Sequence, residues 1–161
     1  MPESKPVMSR AFKVGVWRSY MEVHQRVLAE IGRALDERHR LSVSEFDTLV
    51  NIPLDGVRLK VLGERTVLTQ SAVSRMCDRL ARRGLVTRTP VAEDQRGALV
   101  RLTDEGRTLL REAVRTNAEV VERTFTSHLS DDDLVGLGAV LGRLAPEAVD
   151  EQCDTPQSRD R

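Results

Sequence analysis

The stretch from Gln70 to Arg83 (QSAVSRMCDRLARR) constrains this chain more than any other. Val73, Met76, Cys77 and Leu80 recur at the i, i+3, i+4, i+7 spacing of a buried helical stripe. Ser71, Ser74, Arg75, Asp78, Arg79 and Arg82 fall on the opposite side. A helix built this way buries one face and offers the other to a charged, hydrogen-bonding surface. Thr69 is a suitable N-cap, and Gly84 suits the left-handed position that ends a helix. Leu59 to Val67 (LKVLGERTV) predicts a second short helix just upstream, leaving only Leu68 and Thr69 between the two. That is helix-turn-helix spacing. Downstream, Gly84 to Thr89 and Leu99 to Leu102 read as two strands of a hairpin, with a polar tip over Pro90 to Ala98. A basic helix followed by a hairpin with an arginine at its tip predicts a winged helix. The competing reading is a packed helix pair whose charged face is merely solvated.

In their order and spacing these segments resemble the MarR family of bacterial transcriptional regulators. The likeness runs without a gap from Leu41 to Gly106. It takes in SVSEFDTLV, LTQSAVSRMCDRLARRGLV and EDQRGALVRLTDEG, with the family's Asp-x-Arg wing signature standing as Asp94-Gln95-Arg96. The first helix of the motif departs from the pattern. It opens on Leu59-Lys60 without a capping residue, and Gly63 replaces an alanine at a cost of up to about 1 kcal/mol of helix propensity. A loose helix or a close backbone approach would account for that glycine.

The flanks read as helices. From Arg10, Phe12, Val16, Tyr20, Val23, Val27, Ile31 and Leu35 recur at three- and four-residue steps. Ser42-Val43-Ser44-Glu45 matches a capping box, and Phe46, Leu49 and Val50 should face inward from the helix it starts. Pro53 and Asp55-Gly56 carry turn chemistry. Thr103 should cap a helix running to about His128, with Leu109, Leu110, Ala113, Val114, Val120, Val121 and Phe125 as its apolar stripe. Ser130 and Asp131 to Asp133 should open a last helix that buries Leu134, Leu137, Val140, Leu141 and Leu144 and closes at Pro146.

The expected fold is α+β and mainly α, a winged helix-turn-helix domain flanked by long N- and C-terminal dimerisation helices. Residues 1–161 form one domain: dimerisation helices at 10–40 and 104–146, the DNA-binding lobe at 41–103, and a disordered acidic tail at 147–161. The apolar stripes exceed what a small domain can cover, so a second copy of the chain is the expected partner. The resemblance likewise implies a two-fold dimer of first and last helices. Two recognition helices about 34 Å apart would meet successive major grooves of a pseudo-palindrome.

Formal net charge is zero over 161 residues, yet its distribution favours nucleic acid. From Gln70 to Arg101 seven arginines stand against three acids, whereas from Ser130 to Arg161 eight acids outnumber three arginines. The expected DNA contacts are Thr69, Gln70, Ser71, Ser74, Arg75, Arg79 and Arg82 on the helix, with Asp94 and Arg96 on the wing. Arg75 is placed to pair with a guanine in the major groove. Arg96 is placed for a narrow minor groove, with Asp94 holding it. The alternative is a winged-helix protein-interaction module whose basic face takes an acidic partner instead of DNA.

Other chemistry finds less support. His24, His39 and His128 are scattered, no His or Cys pair has ligand spacing, and neither a metal nor a cofactor is expected. Cys77 lies in a buried stripe and Cys153 in the tail, so neither a disulfide framework nor a redox sensor is expected. Gly136, Gly138 and Gly142 miss dinucleotide-binding spacing, and no nucleophile has a convincing base, which argues against an enzyme. No run is long enough to span a membrane, and the polar start lacks a signal-peptide core, so a cytoplasmic location is expected. The resemblance implies a repressor that an anionic aromatic effector releases. Trp17, Arg18, Tyr20 and His24 could line its site, or could equally be dimer core and surface charge.

Overall fold

The structure, a computed structural model, describes residues 8–66, 68–91 and 94–144, without the side chains of 91 and 94–97. The element order is α1 (Arg10–His39), α2 (Val43–Val50), β1 (Val57–Arg58), α3 (Leu59–Arg65), α4 (Gln70–Arg82), β2 (Val86–Val91), β3 (Asp94–Leu102), α5 (Asp104–Thr124) and α6 (Asp131–Leu144). A winged helix-turn-helix is therefore present, mainly helical and with a small antiparallel sheet, as the sequence implied. The described residues divide into two compact units, those up to residue 121 and those from 122 to 144.

The first unit holds the core. Leu35, Leu41, Leu49, Leu62, Val73, Cys77, Leu80 and Val100 are fully buried, joining the end of α1 to α2, α3, α4 and the sheet. Local signals set the helix limits. The Ser9 hydroxyl caps α1 by accepting from the Phe12 N–H at 3.2 Å. Arg40, at φ 54°, ends it in the left-handed region, so that the Leu41 N–H reaches the Leu35 carbonyl at 3.2 Å. Ser42 and Glu45 cap each other at the start of α2. Gly56, at φ 90°, closes the turn from Pro53 and lies against the Arg101 side chain.

The sheet has one strand more than expected. β1 pairs with β3 through Val57 and Val100, giving the order β1-β3-β2. Two residues running directly into a helix carry no strand periodicity, so β1 left no mark in the sequence. The hairpin is also longer than expected. Pro90 pairs with Ala98, and Val91 with Asp94 after a register shift, so most of the predicted polar tip is strand. Pro90 fits at the edge of the sheet, where its missing N–H breaks no ladder.

Gly63 is buried, and a Cβ added there would meet Val73 Cγ1 at 3.3 Å and the Leu68 carbonyl at 3.4 Å. A close approach of α3 to α4 thus explains the glycine. α3 has no side-chain cap, in line with its uncapped sequence. Gly106 is tighter: a Cβ there would lie 2.0 Å from the Leu85 carbonyl. With Thr103 donating to the Gly84 carbonyl at 2.6 Å, this seats the start of α5 on the end of the recognition helix.

Four expectations about the flanks need correction, the first being that Val50, at the end of α2, is exposed rather than inward. α5 ends at Thr124, before a single 3-10 turn at Thr126–His128, because Phe125 (φ −136°, ψ −68°) leaves helical space amid β-branched threonines. Its buried face is Gly106, Ala113, Thr116 and Val120, with Leu109 and Leu110 partly buried. Val114, about 100° round the helix from Ala113, is exposed. In the second unit α6 buries no residue; Leu134 and Leu137 are only half-covered, and Val140, Leu141 and Leu144 are exposed. Pro146, Cys153 and the 147–161 tail lie outside the described residues.

Candidate nucleic-acid interface

α4 holds its two faces as the spacing dictates. Val73, Met76, Cys77 and Leu80 are its buried residues, while Gln70, Ser71, Arg75, Arg79 and Arg82 are exposed and Ser74 is half-buried. The Thr69 hydroxyl accepts from the Ala72 N–H at 3.3 Å and lies 3.3 Å from the Ser71 hydroxyl. Thr69 thus shapes the first turn as well as flanking the interface. Gly84, at φ 73°, ends the helix, with the Leu85 N–H bonded to the Leu80 carbonyl at 3.0 Å.

The arginines divide into two groups. Arg75 and Arg82 have no hydrogen-bond or ion-pair partner among the described residues. Arg79 and Arg83 face Glu45 on α2, with Arg79 Nε at 3.9 Å and Arg83 Nη1 at 3.5 Å from Glu45 Oε1. Arg79 Nη2 also reaches Met76 Sδ at 3.2 Å. Arg79 therefore leans off the reading face rather than standing free on it. The acid on the helix is compensated too: Asp78 pairs with Arg88 of β2, tying α4 to the wing. Glu45 and Arg88 were not among the expected site residues. An isolated acid among arginines is a signal for the Asp78 partner, whereas the sequence around Glu45 signals a cap alone.

The backbones of Asp94 and Arg96 belong to β3 rather than to a turn, and their side-chain contacts lie outside what is described. Burial pushes the Cys77 thiol up to about 11, with Asp78 adding to the rise and Arg88 opposing it. A thiol so placed is a packing group, not a nucleophile.

Away from α4, Trp17, Tyr20 and His24 form a ladder along α1. Ring centroids lie 5.8 Å apart for Trp17 and Tyr20 and 6.2 Å for Tyr20 and His24. Arg18 is exposed but stands about 100° round the helix from Trp17, so the structure does not bring it into the ladder. His39 Nε2 is 2.8 Å from the Thr116 hydroxyl, a satisfied packing histidine. Among the described residues no group of three or more His, Cys, Asp or Glu could hold a metal, and no helix is long and apolar enough to cross a membrane.

A two-faced basic helix next to a three-stranded sheet whose β2–β3 hairpin forms a wing defines a winged-helix DNA-binding transcriptional regulator. The MarR family sequence profile matches residues 39–97. The chain is 31% identical over 134 residues to the HTH-type transcriptional regulator PecS of Dickeya dadantii, covering 79% of this chain and 80% of PecS. The chain belongs to the MarR family. Its fold superposes with a TM-score of 0.75 on Sco3205 of Streptomyces coelicolor, a MarR family regulator solved in complex with DNA. That pair is 26% identical over 91% of this chain and 92% of the other. CouR of Rhodococcus jostii RHA1, solved bound to p-coumaroyl-CoA, gives a TM-score of 0.69 at 25% identity over 84% of this chain and 95% of its own. The chain is thus a transcriptional regulator and not an enzyme.

Proposed function

We propose that this regulator binds a pseudo-palindromic operator as a homodimer and represses by occupying it. The observation that carries the reading is the free outward face of α4: Gln70, Ser71 and Arg75 around its first turns, with Arg82 further along and no described acid paired to either arginine. Arg75 reads a guanine edge, worth about 1–3 kcal/mol of discrimination, while Thr69, Ser71, Ser74 and Arg82 meet phosphates and flanking edges. Asp94 and Arg96 carry the wing into the neighbouring minor groove. Arg79 joins them to the extent that Glu45 releases it. The DNA-bound relative favours duplex over an acidic protein surface as the partner of this face.

Dimerisation is supported by apolar surface that the single chain leaves bare. On α1, Phe12, Val16, Trp17 and Tyr20 are exposed, Trp17 by 60%. On α6, Val135, Val140, Leu141 and Leu144 are exposed. Helical runs of this kind rarely stay uncovered in water. Residues 10–40 and 104–146 are accordingly the proposed dimerisation helices.

An aromatic carboxylate or related anion is the proposed effector. Trp17, Tyr20 and His24 offer stacking faces about a quarter turn round α1 from the Phe12 and Val16 sector. Arg18, on a different face of α1, is not part of this proposed stacking site. The ligand-bound relative supports a small molecule of aromatic acyl type. Such a ligand weakens DNA binding only by preferring the lobe spacing that cannot meet two grooves.

Fluorescence anisotropy on the duplex immediately upstream of the coding region tests the reading. Saturable binding that a scrambled duplex of equal length does not match is expected. Equal affinity for both duplexes would overturn it.

A further inference from the structure

Glu45 lies on α2, away from the reading face, yet its two carboxylate oxygens have separate tasks. Oε2 accepts from the Ser42 N–H at 3.0 Å and closes the capping box. Oε1 faces α4, 3.5 Å from Arg83 Nη1 and 3.9 Å from Arg79 Nε. The Glu45 side chain is 13% exposed and that of Arg79 49%, so a sheltered acid reaches toward a half-open base. Arg83 has a second acceptor in the His39 carbonyl at 3.5 Å. Among the described residues Arg79 has only the weak acceptor Met76 Sδ besides Glu45. One carboxylate therefore faces Arg79 of α4 and its C-cap Arg83, while the same helix presents Arg75 and Arg82 without a partner among the described residues.

We propose that Glu45 is a positioning residue that raises the DNA specificity of α4 by withholding Arg79 from phosphate. The proposal rests on the DNA-reading role of α4 given above. A random duplex offers this helix phosphates alone, and each arginine that neutralises one adds to non-specific grip. A correct site also offers Arg75 a base edge, an attraction that does not depend on Arg79. Drawing Arg79 onto a phosphate means giving up part of its pairing with Glu45. At a correct site that base contact lets Arg79 stay with Glu45, so the penalty falls on the non-specific mode and widens the ratio of the two affinities.

Glu45→Gln separates the two tasks. Glutamine still closes the capping box through its amide oxygen, and it no longer carries the charge that holds Arg79. The probe is a scrambled duplex of about three helical turns, titrated by anisotropy across a salt series. The variant should keep the wild-type unfolding midpoint and bind that duplex roughly tenfold more tightly at low salt. Its log–log salt slope should steepen by about 0.9 for each arginine released, close to two units per dimer. Adding Arg79→Ala to Glu45→Gln should reverse the change. A folded Glu45→Gln with the wild-type slope would overturn the proposal. Should Glu45→Gln fail to fold, Arg79→Ala alone decides: a loss of about two units per dimer would mean that Arg79 already grips phosphate, and the proposal falls, while a much smaller loss supports it. A wild-type chain that bound no duplex at low salt would instead remove the DNA-reading role itself, before any variant is compared.

Discussion

α4 and the first half of α1 are both amphipathic helices, and their apolar faces meet opposite fates. Val73, Cys77 and Leu80 of α4 are fully buried within the chain. Phe12, Val16, Trp17 and Tyr20 of α1 lie open, and burial on that helix begins only near its end, at Ala34 and Leu35. Both stripes follow the same helical period. What differs is the supply of partners: α4 is enclosed by α2, α3 and the wing, whereas the side chains at the start of α1 stay exposed. An apolar stripe therefore states that a surface must be covered, without stating by what. On α4 the cover is the chain itself, which frees the opposite face for a ligand. On α1 the proposed cover is a second copy of the chain.

Breaking each stripe should separate the two kinds of cover. Leu80→Ala removes a fully buried side chain and should cost about 2–5 kcal/mol of stability at every protein concentration. Val16→Asp should leave the first unit folded and raise the dimer dissociation constant by roughly a hundredfold, as for a central interface side chain worth about 2–4 kcal/mol. Denaturant melts of both variants at several concentrations, with sedimentation, would check the contrast. A Val16→Asp chain that still sedimented as a dimer would place the interface elsewhere.

A gentler probe of the α4 core uses Cys77. Its thiol is pushed up to about 11 from an ordinary value of 9.0, so the folded chain keeps its proton while the unfolded chain loses it. This contribution to stability is fully present below pH 9 and declines as pH rises toward 11. The slope approaches about 1.4 kcal/mol per pH unit once the unfolded thiol has ionised. Cys77→Ala should flatten that part of the stability curve. An unchanged slope would mean that the thiol titrates alike in both states.

The smallest expected effect lies at the start of α6. Ser130 donates to Asp133 from its hydroxyl at 2.7 Å and from its N–H at 3.0 Å, which lowers the Asp133 pKa. A lowered carboxyl stabilises above its unfolded value and loses that contribution as pH falls through its folded value. Asp133→Asn should therefore reduce the helical signal slightly near neutrality and remove its acid-sensitive step. Circular dichroism down to pH 2 would reveal whether that step belongs to Asp133 or to other carboxyls.

The legibility of these regions from sequence follows the range of the interactions involved. The buried stripe of α4, its Thr69 and Gly84 limits and the Ser42–Glu45 box rest on neighbours within a few residues, and all were readable. β1 is not legible, since a two-residue strand is defined only by its pairing with Leu99 and Val100 across the sheet. The arginine contacts of Glu45 are not legible either, because capping accounts for it locally while its arginines come from α4 and its C-cap. Gly63 was ambiguous for a related reason: the sequence shows a missing side chain, and only the packing shows Val73 filling that space. For α6 the stripe is legible, but its period carries no information on whether the chain itself covers it, and within its unit no α6 residue is buried.

The central claim is that the free face of α4 reads base identity through Arg75. The most direct test is anisotropy of the wild type and Arg75→Ala on the upstream duplex and its single-base variants at fixed salt. Arg75→Ala should lower affinity for the intact site and flatten discrimination at one base pair per half-site, by about 1–3 kcal/mol, while other positions keep their preferences. If Arg75→Ala lost affinity equally across all the variants, with every preference intact, Arg75 would be a phosphate contact and the account of this face would be wrong.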